Sequence, residues 1–176
     1  IDELRSALDP KAYRKAVALL AESEFIDIFG VENSLTPAMD LFTKLGYLGL
    51  TCRLNTDAYL QQIGAGHLPH GAVAVAFSHS GSSADTVKAL RLAKSHGAKT
   101  IAITNAIGAP LASWADVTLL TGRDSHTIYG NAIFSRVADT ALVDMLYMGV
   151  ILSGYGRFST ALDESGRMIR DRVFEN

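Results

Sequence analysis

The sequence predicts an α/β domain, a three-layer αβα sandwich around a five-stranded parallel sheet. Three observations predict it. Five short apolar runs each end in a loop of small or polar residues. Between them the apolar period changes from two to about 3.6 residues. The third run, Ala72-Val73-Ala74-Val75-Ala76-Phe77, has no polar face at all. A strand reads in that way when helices cover both sides of its sheet. Strict alternation of strand and helix then implies parallel pairing through right-handed crossovers.

The elements follow in chain order. A helix fits residues 10–22, and Arg5, Lys11, Arg14 and Lys15 lie in this region ahead of the first strand. Residues 1–24 are therefore expected to be a lead-in helix from a missing N-terminal region, with the main domain at residues 25–176. The first strand falls at 25–29. A helix at 37–46 carries Met39, Leu41, Phe42 and Leu45, and Pro37 suits its first position. The second strand, 49–54, contains Cys52 and Arg53 and runs into Asn55, which makes it an edge. A helix at 58–64 leads to the third strand at 72–77. Residues 83–96 set Val87, Leu90 and Ala93 on one stripe, and Gly97 stands as the C-cap glycine. Strands at 100–104 and 117–120 follow. The longest helix spans 131–152, where Phe134, Val137, Ala141, Met145, Met148 and Leu152 recur at threes and fours. Its other sides carry Ala138, Leu142 and Leu146, so burial on more than one side is expected. A last helix fits 158–173. Five strands in this length fit the order 2-1-3-4-5 of flavodoxin-like sheets.

Composition narrows the function. A single cysteine, Cys52, excludes an internal disulfide framework and a multi-cysteine zinc site. It fits a reducing compartment, and a cytoplasmic location is expected. The net charge of −2, from 16 basic and 18 acidic residues, offers no bulk attraction to nucleic acid or an anionic membrane. The apolar stretch at 145–152 is far short of the ~20 residues that span a bilayer. Charged residues make up only 19% and mean hydropathy is +0.18. So apolar a chain points to a doubly covered sheet, an oligomer face, or both.

In a doubly wound sheet the ligand crevice lies at the strand C-termini where the strand order reverses. Here that point falls between the first and third strands. The loops concerned are Gly30-Val31-Glu32-Asn33-Ser34 and Ser78-His79-Ser80-Gly81-Ser82-Ser83. The second sets four hydroxyls and a glycine between an apolar strand and a helix start. Free N–H groups at that start favour an anion, the hydroxyls donate to phosphate oxygens, and Gly81 permits close backbone approach. The alternative is a serine N-cap, Ser82 or Ser83, with solvated neighbours. With no lysine the loop is no Walker A motif, and it is no GxGxxG fingerprint either. No cofactor is expected.

Other residues have plainer readings. His67 and His70 stand in a glycine-rich loop without a third ligand, so no metal is expected. His79 is expected to point away from the loop's concave side, and His96 to end a helix. His126, which opens the segment before the long helix, is the one histidine that could face the crevice, though a role outside it is the favoured reading. Cys52 reads as a small buried apolar residue, and Trp114 as packing the sheet edge. Arg123 is a charge partner for a ligand or for Asp124. Arg136 and Asp139, three apart on the long helix, read as a local ion pair.

The stretch Phe77-Ser78-His79-Ser80-Gly81-Ser82-Ser83-Ala84-Asp85-Thr86-Val87 resembles the signature of the sugar isomerase (SIS) domain. The resemblance continues through residues 93–105, Pro110-Leu111-Ala112 and Ala115-Asp116, and covers about 25–152. Ser135-Arg136-Val137-Ala138, residues 142–147 and the lead-in Leu8-Asp9-Pro10, Ala16-Val17 and Leu20-Ala21 resemble RpiR-type transcriptional regulators. The resemblance implies a phosphosugar held across the first and third loops. Ser78, Ser80 and Ser83 match its phosphate-holding hydroxyls, Gly81 its turn, and Ser34 the serine facing the sugar. The family commonly has a second glycine where this chain has Glu32. A carboxylate there would bond sugar hydroxyls, repel an anion or fill the crevice; otherwise it is a solvated loop charge.

Aldose–ketose isomerisation needs a carboxylate base, which in SIS isomerases is a glutamate near the start of the long helix, alongside a histidine. Residues 122–154 contain no glutamate, only Asp124, Asp139 and Asp144. The expectation is therefore the phosphosugar-binding effector domain of an RpiR-type regulator of carbohydrate metabolism. It is expected as a homodimer or higher oligomer that meets DNA only through an absent N-terminal helix-turn-helix, with no membrane partner. A sugar-phosphate isomerase is the alternative.

Overall fold

Parallel pairing runs through the whole sheet of the computed structural model, which describes residues 1–123 and 135–170. The strands are β1 (Ile26–Phe29), β2 (Cys52–Leu54), β3 (Val73–Phe77), β4 (Lys99–Thr104) and β5 (Val117–Leu120), in the order β2-β1-β3-β4-β5. The helices are α1 (Asp2–Ala7), α2 (Pro10–Glu22), α3 (Leu35–Tyr47), α4 (Ala58–Ala65), α5 (Ala84–Ser95), α6 (Val137–Ser153) and α7 (Tyr155–Met168). Short 3-10 turns at Glu32–Ser34 and Pro110–Trp114 join them. The sheet order and every expected strand are present. Helix α1 and the two 3-10 turns are additions, each too short to show a period.

The apolar β3 run is asymmetric across its pleat. Val73, Val75 and Phe77 join Ile26, Ile28, Ile101, Ile103 and Leu119 beneath α2, α3 and α6. Ala74, Ala76 and Ala102 face Ala89, Leu90 and Ala93 of α5, where small side chains on both elements fill the second, thinner core. Asp27 is 1% exposed on β1 and is held by the edge strand. Its register partner Arg53 donates from Nε at 3.0 Å and from Nη2 at 2.6 Å. Burial pushes the Asp27 carboxyl up, against the pull of Arg53. Cys52 beside it is half-buried, and burial pushes its thiol up to about 12, so it is an inert packing residue.

The lead-in region is packed rather than extended. Asp9 caps α2 through Lys11 N and Ala12 N. Ala16, Val17 and Leu20 enter the larger core, and Tyr13 Oη donates to Met145 O at 2.6 Å. The long helix differs from its expected bounds. It begins at Val137, after Ser135 and Arg136 in non-helical conformation, and residues 131–134 lie outside the described residues. Its core side is Leu142, Val143, Leu146, Val150 and Ile151, while Val137, Met145, Met148 and Leu152 of the expected stripe are exposed. A helix that is apolar all round does not reveal its inward side by period alone. After Gly154 the chain bends by 116° into α7, which starts three residues earlier than expected and ends at Met168. Among the described residues no single helix is long and apolar enough to cross a membrane.

Candidate ligand-binding site

The switch between β1 and β3 opens a cleft of about 280 Å³ at the strand C-termini. Its first wall is the 3-10 turn after β1. Gln61, buried on α4, secures that wall by donating from Nε2 to Gly30 O at 2.7 Å and to Asn55 O at 2.8 Å. Ser34 starts α3, yet its hydroxyl makes no capping bond, and with Glu32 it lines the cleft. Glu32 has φ +51°, a left-handed conformation that costs a non-glycine residue ~1–2 kcal/mol. This backbone explains why a glycine suits the position. It also leaves a strained residue inside a cleft, where such strain is retained at functional sites.

The second wall is the loop from β3 to α5. Ser78 N donates to Ile103 O and Gly81 N to Ser78 O, which tucks the loop into a turn. The end of β4 clamps it, since Asn105 N and Thr104 Oγ1 both donate to His79 O. Ser80 Oγ accepts from Ser82 N at 3.3 Å, and Ser83 Oγ from Thr86 Oγ1 at 3.3 Å. Ser83 is the residue before α5, and its side chain makes no cap bond. The first N–H groups of a twelve-residue helix and the hydroxyls of Ser78, Ser80 and Ser83 thus border one cleft. That is a set of donors suited to phosphate. Gly81 lies behind the loop at φ +61° and does not line the cleft. A Cβ there would collide with the Ala109 side chain and stand 2.9 Å from Thr104 Oγ1.

Three further residues of the wall carry ionisable groups: Asp85, His79 and Arg136. His79, expected to point away, is among the residues that line the cleft. Burial and the Arg136 charge pull its imidazole below the ordinary histidine range against the opposing Asp139 carboxylate. The expected Arg136–Asp139 ion pair is also absent among the described residues, because Arg136 precedes the helix instead of belonging to it. Asp139 is buried and hydrogen-bonded with Thr121; burial pushes its carboxyl up. Arg123 turns from the cleft to donate from Nη2 to Ser6 O. Asp124 and His126 lie outside the described residues. Among the described residues no three His, Cys, Asp or Glu side chains cluster as a metal site would require. The sequence puts Arg136 on the long helix, three residues from Asp139, and nothing local to it signals the cleft.

The sequence model of the SIS domain family matches residues 19–149. This chain belongs to the SIS domain family. Among curated relatives, an uncharacterized HTH-type transcriptional regulator, TTE0211 of Caldanaerobacter subterraneus subsp. tengcongensis, is 30% identical over all of this SIS domain chain. The chain spans 62% of that relative's length. Among solved structures, Vibrio vulnificus NanR complexed with ManNAc-6P superposes with a TM-score of 0.90 at 25% identity, over 99% of this chain and 67% of that one. The sugar isomerase domain of the RpiR transcription factor from Sphaerobacter thermophilus shares the fold, with a TM-score of 0.84 at 23% identity over 94% and 91%. Structures assigned by inference to phosphosugar isomerases share it as well, at 23% identity or below.

Proposed function

We propose that this SIS domain binds a phosphosugar in the β1–β3 cleft and acts as the ligand-sensing part of an RpiR-type transcriptional regulator in the cytoplasm. The observation that carries the reading is the convergence of Ser34, Ser78, Ser80 and Ser83 on one cleft at the start of α5. The likeness to a NanR structure holding ManNAc-6P supports it. Ser78, Ser80, Ser83 and the helix N–H groups take the phosphate, while Ser34 and Glu32 face the sugar. Gly81 serves by shaping the turn. DNA contact is assigned to an N-terminal helix-turn-helix segment, as the HTH-type relative suggests. Residues 1–24 are then the link, and 25–176 the sensing domain. Isothermal titration with a panel of sugar phosphates tests the reading. Micromolar binding of one member, without binding of its unphosphorylated sugar, supports it; no binding by any member overturns it.

The same cleft holds Glu32 and His79, a carboxylate and an imidazole, which is the one observation in favour of an isomerase. The sensor reading predicts that a bound sugar phosphate is returned unchanged. NMR of the anomeric region after prolonged incubation checks this. Aldose–ketose conversion that is abolished by Glu32→Gln would establish the isomerase and name its base.

The domain is also assigned a homodimeric state through the outer side of α6. Val137, Ala141, Met145, Met148 and Leu152 form one stripe, of which Val137 is 61% and Leu152 69% exposed. Exposed apolar stripes of this kind mark association surfaces. Light scattering at tens of micromolar is expected to give the dimer mass, since a dimer of ~1 μM affinity persists there. Met148→Glu combined with Leu152→Glu is expected to give monomers. A wild-type chain that is monomeric at that concentration refutes the assignment.

A further inference from the structure

Resting on the phosphosugar reading above, we propose that Arg136 is the residue by which the cleft selects an anion, its guanidinium pairing with the ligand's phosphate. Arg136 lines the same cleft as Ser34, Ser78, Ser80 and Ser83. Its Nε and Nη1 are shut from solvent and have no hydrogen-bond partner among the described residues. Leaving buried charged donors unpaired is costly, and a phosphate oxygen is the partner that an arginine accepts most readily. The neighbour that local spacing nominates, Asp139, engages Thr121 instead.

Charge points the same way. Glu32 and Asp85 put two carboxylates on the cleft wall, and among the described lining residues Arg136 is the only arginine or lysine. Burial holds His79 towards its neutral form. Hydroxyls and helix N–H groups offer dipoles but no full charge, so without Arg136 a dianionic phosphate would enter a net negative cleft. The arginine is also held in place. Its carbonyl accepts from Thr140 N at 2.9 Å and from Thr140 Oγ1 at 3.0 Å, which anchors the backbone from which the side chain leaves.

The experiment compares the wild-type chain with Arg136→Gln and Arg136→Lys by isothermal titration and thermal melting. The probes are inorganic phosphate, 6-phosphorylated hexoses and N-acetylhexosamines, their unphosphorylated forms, and sugar carboxylates. Arg136→Gln is expected to weaken phosphosugar binding about 10- to 100-fold, and to weaken inorganic phosphate likewise. Binding of an unphosphorylated sugar, where measurable, stays within about twofold. Arg136→Lys keeps the charge but loses the planar donor set, so a loss of about 3- to 10-fold is expected. It serves as the decisive variant if the glutamine form melts early. Unchanged phosphosugar affinity in a variant that melts like wild type overturns the proposal and leaves the phosphosugar reading standing. A wild-type chain that binds only sugar carboxylates, and loses them with Arg136→Gln, supports the arginine as the anion selector and refutes its phosphate and the phosphosugar reading. A wild-type chain that binds no anion overturns both.

Discussion

Replacing Ser80 and Ser83 together by alanine is expected to weaken a phosphorylated sugar by about 100-fold or more, while its unphosphorylated form changes by less than about threefold. Each hydroxyl donates one hydrogen bond to a charged acceptor in a half-enclosed cleft, and such a bond is worth ~1.5–3 kcal/mol. Folding should be little affected. Ser80 Oγ and Ser83 Oγ accept only 3.3 Å contacts from Ser82 N and Thr86 Oγ1, neither of which holds the core. The Ser83 side chain caps no helix N–H, so the double variant removes no cap bond. Isothermal titration against matched phosphorylated and unphosphorylated sugars gives the two ratios. Equal losses for both ligands would mean that the loop does not hold phosphate.

Gly81→Ala is expected to lower stability by about 2–5 kcal/mol and to abolish phosphosugar binding with it. The backbone at φ +61° costs an alanine ~1–2 kcal/mol, and overpacking against Ala109 and Thr104 adds about 1–3 kcal/mol. For a domain of this length that is a fall of roughly 5–15 °C in Tm. The added methyl has nowhere to go, because Leu111 N donates to Gly81 O and Gly81 N to Ser78 O, which fixes the turn from both sides. Relief therefore comes by moving the serine loop itself. A denaturation midpoint and titration of the same variant check the two effects together. A variant as stable as the wild type, with its affinity intact, would show that the turn adjusts freely.

The sensing reading also accounts for where the strain and charge of this domain lie. Glu32 keeps a left-handed backbone on the wall of the cleft, whereas the buried Asp27 carboxylate is satisfied by Arg53 and belongs to the sheet alone. The distorted residue stands where a ligand would meet it, and the buried Asp27 carboxylate is a structural pair.

The amino-acid sequence alone determined the elements that depend on near neighbours. Residues 10–22 read as a helix and are one, residues 117–120 read as a strand and are one, and the loop from Ser78 to Ser83 reads as a donor-rich turn. Handedness and alternation then leave few orders for five parallel strands, and the sheet takes the expected one. Glu32, Ser34, Ser78, Ser80 and Ser83 come together because sheet order brings the ends of β1 and β3 side by side. Only the tertiary structure decided the rest. Helix α6 carries apolar residues on every side, so the choice of Leu142 and Leu146 for the core and Met148 for the surface was made by α2 and α3 packing on it. The His79 backbone was fixed at the cleft by bonds from Thr104 and Asn105, 25 residues and more away in the chain. Arg136 was directed there by a helix start that fell one residue after it, with Asp139 already engaged by Thr121. Periodicity reports contacts made within one turn or one pleat; the direction of a charged side chain is set by whichever distant element satisfies it, and that is visible only once the elements are packed.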